Sequence, residues 1–276
     1  MKTGTILASL LISLSLLSCV TSTKRDVTTS NETAGTSENA LDPMNHVFVP
    51  DFIDTCTTNK REKIKLLIIG NSLSFHGIAP DIGWTHESGM AASKKEMDYA
   101  HLLFQKIKDS LPQHDVCMRI SNFASFERNP ITLNDNSINA LHSFQADIIV
   151  FQLGENVDGA NKDTMELFEK KYIELIQSFR GNGNPVIILT TPFFPSHVKN
   201  KTIKKVALST KSYLVDLSHL TLINPENYAK NEVDYKGDKS IWKVEGIGIH
   251  PGDIGMENIA NLIFIAIQPS MYFKSF

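Results

Sequence analysis

The feature that most constrains the fold of this chain is a series of short, continuous apolar runs that alternate with amphipathic segments. The apolar runs lie at residues 64–69, 116–120, 147–152, 185–191 and 213–217. Segments with helical spacing lie between or after them, at residues 98–110, 137–144, 163–180, 199–211 and 255–267. Apolar strands separated by helices are typical of a parallel sheet that is covered on both faces. We therefore predict an α/β fold.

Polar side chains follow two of these predicted strands directly, and a third polar group precedes the last helix. Ser72 follows the first run in the segment GNSLS, and Asn156 follows the run DIIVFQ in the segment LGEN. His250 lies in the segment GIHPGD near the C-terminal end. Functional sites of open parallel sheets lie outside the carboxyl ends of the strands. We therefore expect these three side chains to meet at one edge of the sheet.

A serine, a histidine and an asparagine at one edge fit nucleophilic catalysis. A serine hydroxyl becomes a good nucleophile when a base such as His250 takes its proton. The attacked carbonyl becomes an oxyanion, which needs hydrogen-bond donors. The Ser72 N–H and the Asn156 carboxamide, held on a tight turn by Gly154, are the candidates. Two structural alternatives stay open, since Ser72 could cap a helix and Asn156 could be a turn residue.

Three blocks in this order resemble the motifs of the SGNH, or GDSL-type, hydrolases. They are GNSLS, with Asn71 where aspartate is commoner, GEN at 154–156 and HPGD-x-G at 250–255. The resemblance covers residues 62–268. It implies a flavodoxin-like three-layer α/β/α sandwich with a five-stranded parallel sheet, and ester hydrolysis through an acyl-serine. It implies catalytic roles for Ser72, His250 and Asn156, support from Gly154 and Asn71, and no metal or organic cofactor.

The sequence departs from the family pattern at two places. The second family block carries a glycine whose N–H joins the oxyanion hole, whereas the corresponding segment here, SNFASFE at 121–127, has no glycine. The family often has an aspartate three residues before the histidine, where this chain has Ile247. An acid at that point orients the imidazole. Glu245 is a possible substitute, or a backbone carbonyl accepts from the ring and leaves a Ser–His dyad.

The N-terminal segment predicts export and lipid attachment. An apolar run at residues 6–17 follows a lysine and ends at Ser18 and Cys19, which is typical of a secretory signal with a bacterial lipobox. We predict a signal peptide at 1–19, lipidation of Cys19, a flexible tether and lead-in at 20–60, and a hydrolase domain at 61–276. Because Val20 is not an aspartate, the anchor is expected in the outer membrane, facing the periplasm.

Cys56 and Cys117 are the other two thiols of the chain. An oxidising compartment allows a disulfide between them, and two separate thiols are an equally good interpretation. The net charge is −3, and no basic cluster stands out, so nucleic acid is not expected as a partner.

Together these features predict a membrane-anchored, exported serine esterase that removes acyl groups, acetyl above all, from a carbohydrate or another small ester. Two alternatives stay open. The chain could be a non-catalytic glycan-binding module on the same fold, or a lipase or lysophospholipase acting at the membrane. Sequence alone leaves the oligomeric state open.

Overall fold

The computed structural model describes residues 52–56, 63–132, 135–181, 183–232 and 245–273. Its strands are β1 (Phe52–Cys56), β2 (Lys63–Gly70), β3 (Asp115–Asn122), β4 (Ile148–Phe151), β5 (Val186–Thr190) and β6 (Tyr213–Val215). Its helices are α1 (Tyr99–Ser110), α2 (Ala124–Arg128), α3 (Asp135–His142), α4 (Lys162–Arg180), α5 (His197–Thr210), α6 (Leu220–Ile223), α7 (Glu245–Gly248) and α8 (Asp253–Phe273). The predicted signal segment with Cys19, and most of the predicted tether, lie outside the described residues.

Five strands form a parallel sheet in the order β3-β2-β4-β5-β6. If these five strands are numbered 1 to 5 along the chain, their order in the sheet is 2-1-3-4-5. This is the strand order of flavodoxin-like folds. The predicted α/β class and the five parallel strands are therefore confirmed.

The sheet also contains a strand that the sequence pattern did not predict. β1 pairs antiparallel with β3 at the edge, so the sheet has six strands and not five. β1 lies in the segment predicted as tether and lead-in, before the predicted domain start at residue 61. Cys56 and Cys117 face each other in the β1–β3 register and form a disulfide. The structure thus selects the paired interpretation of these two thiols.

Helices cover both faces of the sheet and give it three layers. The apolar side chains of β2 alternate between two cores and are fully buried in both. Ile64, Leu66 and Ile68 pack in the core formed with α1 and α8. Leu67 and Ile69 pack in the core formed with α4 and α5. Burial on both faces explains why the strand reads as a continuous apolar run.

Side-chain caps fix the starts of three of the long helices on these faces. Asp98 accepts from the His101 N–H at the start of α1, and Asn161 accepts from the Thr164 N–H at the start of α4. Ser196 does the same for α5. Such caps satisfy amide groups that have no partner within the helix.

The last helix is longer than the sequence predicts. We expected it to end near residue 267 because Pro269 cannot continue a helix without losing a hydrogen bond. In the structure α8 continues past Pro269 to Phe273. Met271 lies in the same core as the earlier apolar residues of α8, so packing of this face offsets the cost of the proline. Within the described part of the chain, no helix combines the length and the apolar character needed to cross a membrane.

Candidate active site

The segment after β2 and the loop before α8 bring a serine and a histidine together. The Oγ of Ser72 lies 3.1 Å from Nε2 of His250, although the two residues are 178 positions apart in the chain. Ser72 comes two residues after β2 ends, and His250 lies between α7 and α8. Such a distance allows the hydroxyl to donate its hydrogen to the ring nitrogen.

A backbone carbonyl orients the His250 ring. Its Nδ1 lies 2.9 Å from the carbonyl oxygen of Gly246, which can only accept a hydrogen bond. The proton is therefore assigned to Nδ1, which leaves Nε2 as the acceptor that faces Ser72. The carbonyl acceptor is one of the two interpretations that the sequence left open. The other, Glu245, is the first residue of α7, and its side chain lies outside the described part.

The position at which the family carries an aspartate is occupied by a buried side chain. Ile247 is 2% exposed and packs in a small core with Trp84, Met90 and Ala229. Its backbone carbonyl accepts from the N–H of His250. Ile247 therefore fixes the loop that carries the histidine, although its side chain has no polar group to offer the ring.

Burial keeps the His250 imidazole neutral. It lowers the pKa of His250 to about 4, and the nearby His76 adds to this effect, while the carbonyls of Gly246 and Ile247 oppose it. The ring of Phe194 packs edge-on against the imidazole, with 5.7 Å between the ring centroids. A neutral imidazole is the form that can accept the proton of a serine.

Asn71 holds the turn on which Ser72 lies. Its side chain is fully buried, and its Nδ2 donates to the Gln152 carbonyl at 3.2 Å and to a carboxyl oxygen of Glu127 at 3.1 Å. Its Oδ1 accepts from the Leu73 N–H. Among the described residues no acceptor is present for the Ser72 N–H, so this donor can serve an oxyanion.

Gly154 allows the turn that carries Asn156. Its φ is +127°, a backbone angle that residues with a Cβ rarely adopt. A Cβ there would lie 2.8 Å from Cδ1 of Ile203 and 3.0 Å from Cγ of Pro192. The Asn156 carboxamide donates through Nδ2 to Glu127 and accepts at Oδ1 from Arg128 at 3.2 Å. Because Asn71 and Asn156 share Glu127 as a partner, the two predicted motifs lie side by side.

The segment 121–127, which has no glycine where the SGNH hydrolases carry one, offers no free backbone donor at the end of β3. The N–H of Phe123 donates to the Gly70 carbonyl, and the N–H of Ala124 donates to Oδ1 of Asn122. Both backbone donors at the end of β3 are thus occupied. The segment supplies instead the buried carboxyl of Glu127, which was not among the residues predicted for the site. Nothing in its local pattern predicts burial; the only signal is its place in the segment that departs from the family.

Glu155 links the asparagine turn to the loop that contacts the histidine. Its carboxyl accepts from the N–H groups of Phe193, at 2.6 Å, and Phe194, at 3.4 Å. Burial raises the pKa of Glu155 to about 8, and the neighbouring carboxylate of Glu127 adds to this shift. Across the described residues, no group of three or more His, Cys, Asp or Glu side chains is placed to hold a metal ion.

No protein-family model matches the chain, and no curated protein matches it. Several solved structures are similar. An acetyl xylan esterase from Geobacillus stearothermophilus is 17% identical, with a TM-score of 0.49, over 75% of this chain and 95% of that one. An α/β hydrolase from the metagenome of Lake Arreo, Spain, is 20% identical, with a TM-score of 0.48, over 75% and 96%. A lipase/acylhydrolase from Enterococcus faecalis is 14% identical, with a TM-score of 0.46, over 76% and 96%.

Proposed function

We propose that the protein is a serine esterase in which Ser72 is the nucleophile and His250 the general base. The observation that carries this proposal is the chain of contacts from Ser72 Oγ to His250 Nε2, and from His250 Nδ1 to the Gly246 carbonyl. A serine hydroxyl, a neutral imidazole and a group that fixes the tautomer are the parts that acyl transfer to serine requires.

The proposed reaction has two halves. Ser72 Oγ attacks the ester carbonyl while His250 Nε2 takes the hydroxyl proton, and the tetrahedral oxyanion then collapses. The alcohol leaves with the proton that His250 returns, and the acyl group stays on Ser72. In the second half a water molecule gives a proton to His250 and its hydroxide adds to the acyl carbon. The carboxylic acid is released and Ser72 regains its proton.

Two donors are available to the oxyanion. The Ser72 N–H has no acceptor within the part of the chain that is described, and one N–H of the Asn156 carboxamide remains after Glu127 has accepted the other. Fixed donors that meet charge developing in the transition state supply a large share of catalysis in acyl transfer.

For the substrate, we propose an acetyl ester of a carbohydrate. The support for this substrate is the resemblance of the three motifs to the SGNH hydrolases, together with the predicted export signal. No single residue of the site specifies it. We also propose that the chain is exported and anchored through a lipid on Cys19. Labelling with a fatty acid analogue tests the anchor, because a Cys19→Ser variant should carry no label.

The experiment for the proposed activity is fluorophosphonate labelling followed by peptide mapping. The label should be found on Ser72 and be absent from Ser72→Ala. The wild type should hydrolyse p-nitrophenyl acetate far faster than Ser72→Ala, and equal rates would favour a binding module. A series of acyl chain lengths then separates acetyl esterase from lipase, because a preference for long chains would contradict the proposed substrate.

A further inference from the structure

The buried carboxyl of Glu127 is the meeting point of the motifs that supply the serine and the asparagine. It is 0% exposed. Its Oε1 accepts from Asn71 Nδ2 at 3.1 Å and from the N–H groups of Gly154, at 2.5 Å, and Glu155, at 3.0 Å. Its Oε2 accepts from Asn156 Nδ2 at 2.5 Å. Four donors thus converge on one side chain that is on neither the Ser72 turn nor the Asn156 turn.

The donors around Glu127 determine its charge and the orientation of its partner. Burial raises the pKa of Glu127, and its hydrogen bonds oppose the shift. All four partners are N–H groups, which fit a carboxylate and leave no acceptor among them for a carboxyl proton. Arg128 can only donate, so the Asn156 carboxamide must turn its oxygen to Arg128 and its nitrogen to Glu127.

We propose that Glu127 is a positioning residue that holds the Asn156 carboxamide with one N–H free for the oxyanion. The proposal rests on the esterase function proposed above. Glu127 accepts a hydrogen bond from one N–H of the amide, Arg128 donates one to the amide oxygen, and the second N–H remains for the substrate. The exposed guanidinium of Arg128 also offsets the negative charge that Glu127 brings near the oxyanion. The segment without the family glycine therefore acts through Asn156, by fixing a side-chain donor.

The substitution Glu127→Gln tests this role with little change in size. The remaining oxygen can still serve the three donors that now meet Oε1. The new Nε2 would face the N–H of Asn156, donor against donor, so the amide must turn or move. We expect kcat for p-nitrophenyl acetate to fall about 10- to 100-fold with KM within about twofold, because the oxyanion forms only in the transition state.

A double-mutant cycle with Asn156→Ala separates positioning from general support. If Glu127 acts through Asn156, Glu127→Gln should cost less than about threefold in kcat once the asparagine is absent. Equal losses in both backgrounds would show that Glu127 stabilises the fold without acting on the amide, and would overturn the proposal.

Asp115 offers a matched control because it is a buried acid at the opposite end of β3. Asp115→Asn should change kcat by less than about twofold, whatever it does to the free energy of unfolding. A drop similar to that of Glu127→Gln would mean that any buried acid of this strand region supports activity through stability alone, which also contradicts the proposal.

Failure of the esterase function is recognised separately, by wild-type turnover no better than that of Ser72→Ala. The side-chain amide signals of Asn156 then test the positioning by NMR. In the wild type one amide proton should be shifted downfield by the carboxylate, and Glu127→Gln should remove this shift. Identical Asn156 signals in the two proteins would refute the role of Glu127 even in the absence of turnover.

Discussion

The two halves of the candidate site are held in place by different kinds of interaction. The asparagine half consists of Asn156 and of Asn71, which precedes Ser72, and both side chains donate hydrogen bonds to the buried carboxylate of Glu127. The histidine half, which consists of His250, Gly246 and Phe194, is held by a neutral carbonyl and by aromatic packing. Hydrogen bonds to charged groups are roughly twice as strong as neutral ones.

This difference shows where the site is prepared for charge. In the proposed mechanism the donors for the negative oxyanion are fixed in advance on the asparagine half. On the histidine half no carboxylate of the described residues contacts the ring, so the proposed imidazolium would have only carbonyl oxygens to stabilise it. The proposed catalysis therefore depends more on the oxyanion donors than it would in a site with an aspartate.

The largest expected effect comes from removing the base. His250→Ala should lower kcat for p-nitrophenyl acetate by about 10⁴-fold, because Ser72 then lacks a group to take its proton. Asn156→Ala should lower it by about 10²- to 10³-fold, through loss of one oxyanion donor. Steady-state kinetics on both variants checks the pair. A decrease in kcat below about threefold for Asn156→Ala would show that catalysis does not depend strongly on the oxyanion donors, and would contradict the comparison of the two halves.

An aspartate introduced at position 247, where the SGNH hydrolases often carry one, should fail to provide a carboxylate partner for the His250 ring. Because Ile247 packs among Trp84, Met90 and Ala229, an aspartate there would be buried without a partner. We expect Ile247→Asp to lower the free energy of unfolding by about 4 kcal/mol at neutral pH. Urea denaturation measures this, with Ile247→Asn as the uncharged control. An Ile247→Asp protein with higher kcat and unchanged stability would show that the loop can present an acid to the ring.

The raised pKa of Glu155 gives the protein a stability that depends on pH. The folded protein retains on Glu155 a proton that the unfolded chain releases near pH 4.5. The contribution of this group to the free energy of unfolding is therefore complete below pH 4.5, and it is lost as the pH rises from there through about 8. The loss between pH 5 and pH 8 amounts to at most about 4 kcal/mol. Unfolding in urea at several pH values checks it. Glu155→Gln should flatten the profile, and an equally steep profile in that variant would assign the effect to other groups.

The smallest expected effect concerns the pH dependence of the histidine half. Because the pKa of His250 is lowered to about 4, kcat/KM should rise with pH through about 4 and stay level at neutral pH. His76 contributes to the lowering, so His76→Asn should move this rise upward by less than about one pH unit. The profile is measured with a non-ionising ester over the range in which circular dichroism shows folded protein. A midpoint near 6.5 in the wild type would contradict the burial of the base.

The sequence predicts the parallel sheet well because its strands are buried on both faces. β2 and β5 read as continuous apolar runs for this reason. β1 escaped prediction because FIDTC is short and its place in the sheet depends on pairing with β3, which lies about sixty residues away.

For the site, the sequence indicates the residues that lie just after strands or just before a helix. Ser72, Asn156 and His250 belong to this group, and the structure brings Ser72 and His250 into contact. Glu127 could not be found in this way, because its role arises from tertiary contacts with two other loops. The Gly246 carbonyl could not be named either, since any residue type supplies a backbone oxygen.

The disulfide between Cys56 and Cys117 has a consequence for how the protein can be produced. It fastens the short β1 along β3, so that the backbone groups of β3 on that side are already paired. Open strand edges are templates for aggregation, and a short outermost strand is a common protection against it. Synthesis in a reducing cytosol would leave this protection to backbone hydrogen bonds alone, whereas folding under oxidising conditions makes it covalent.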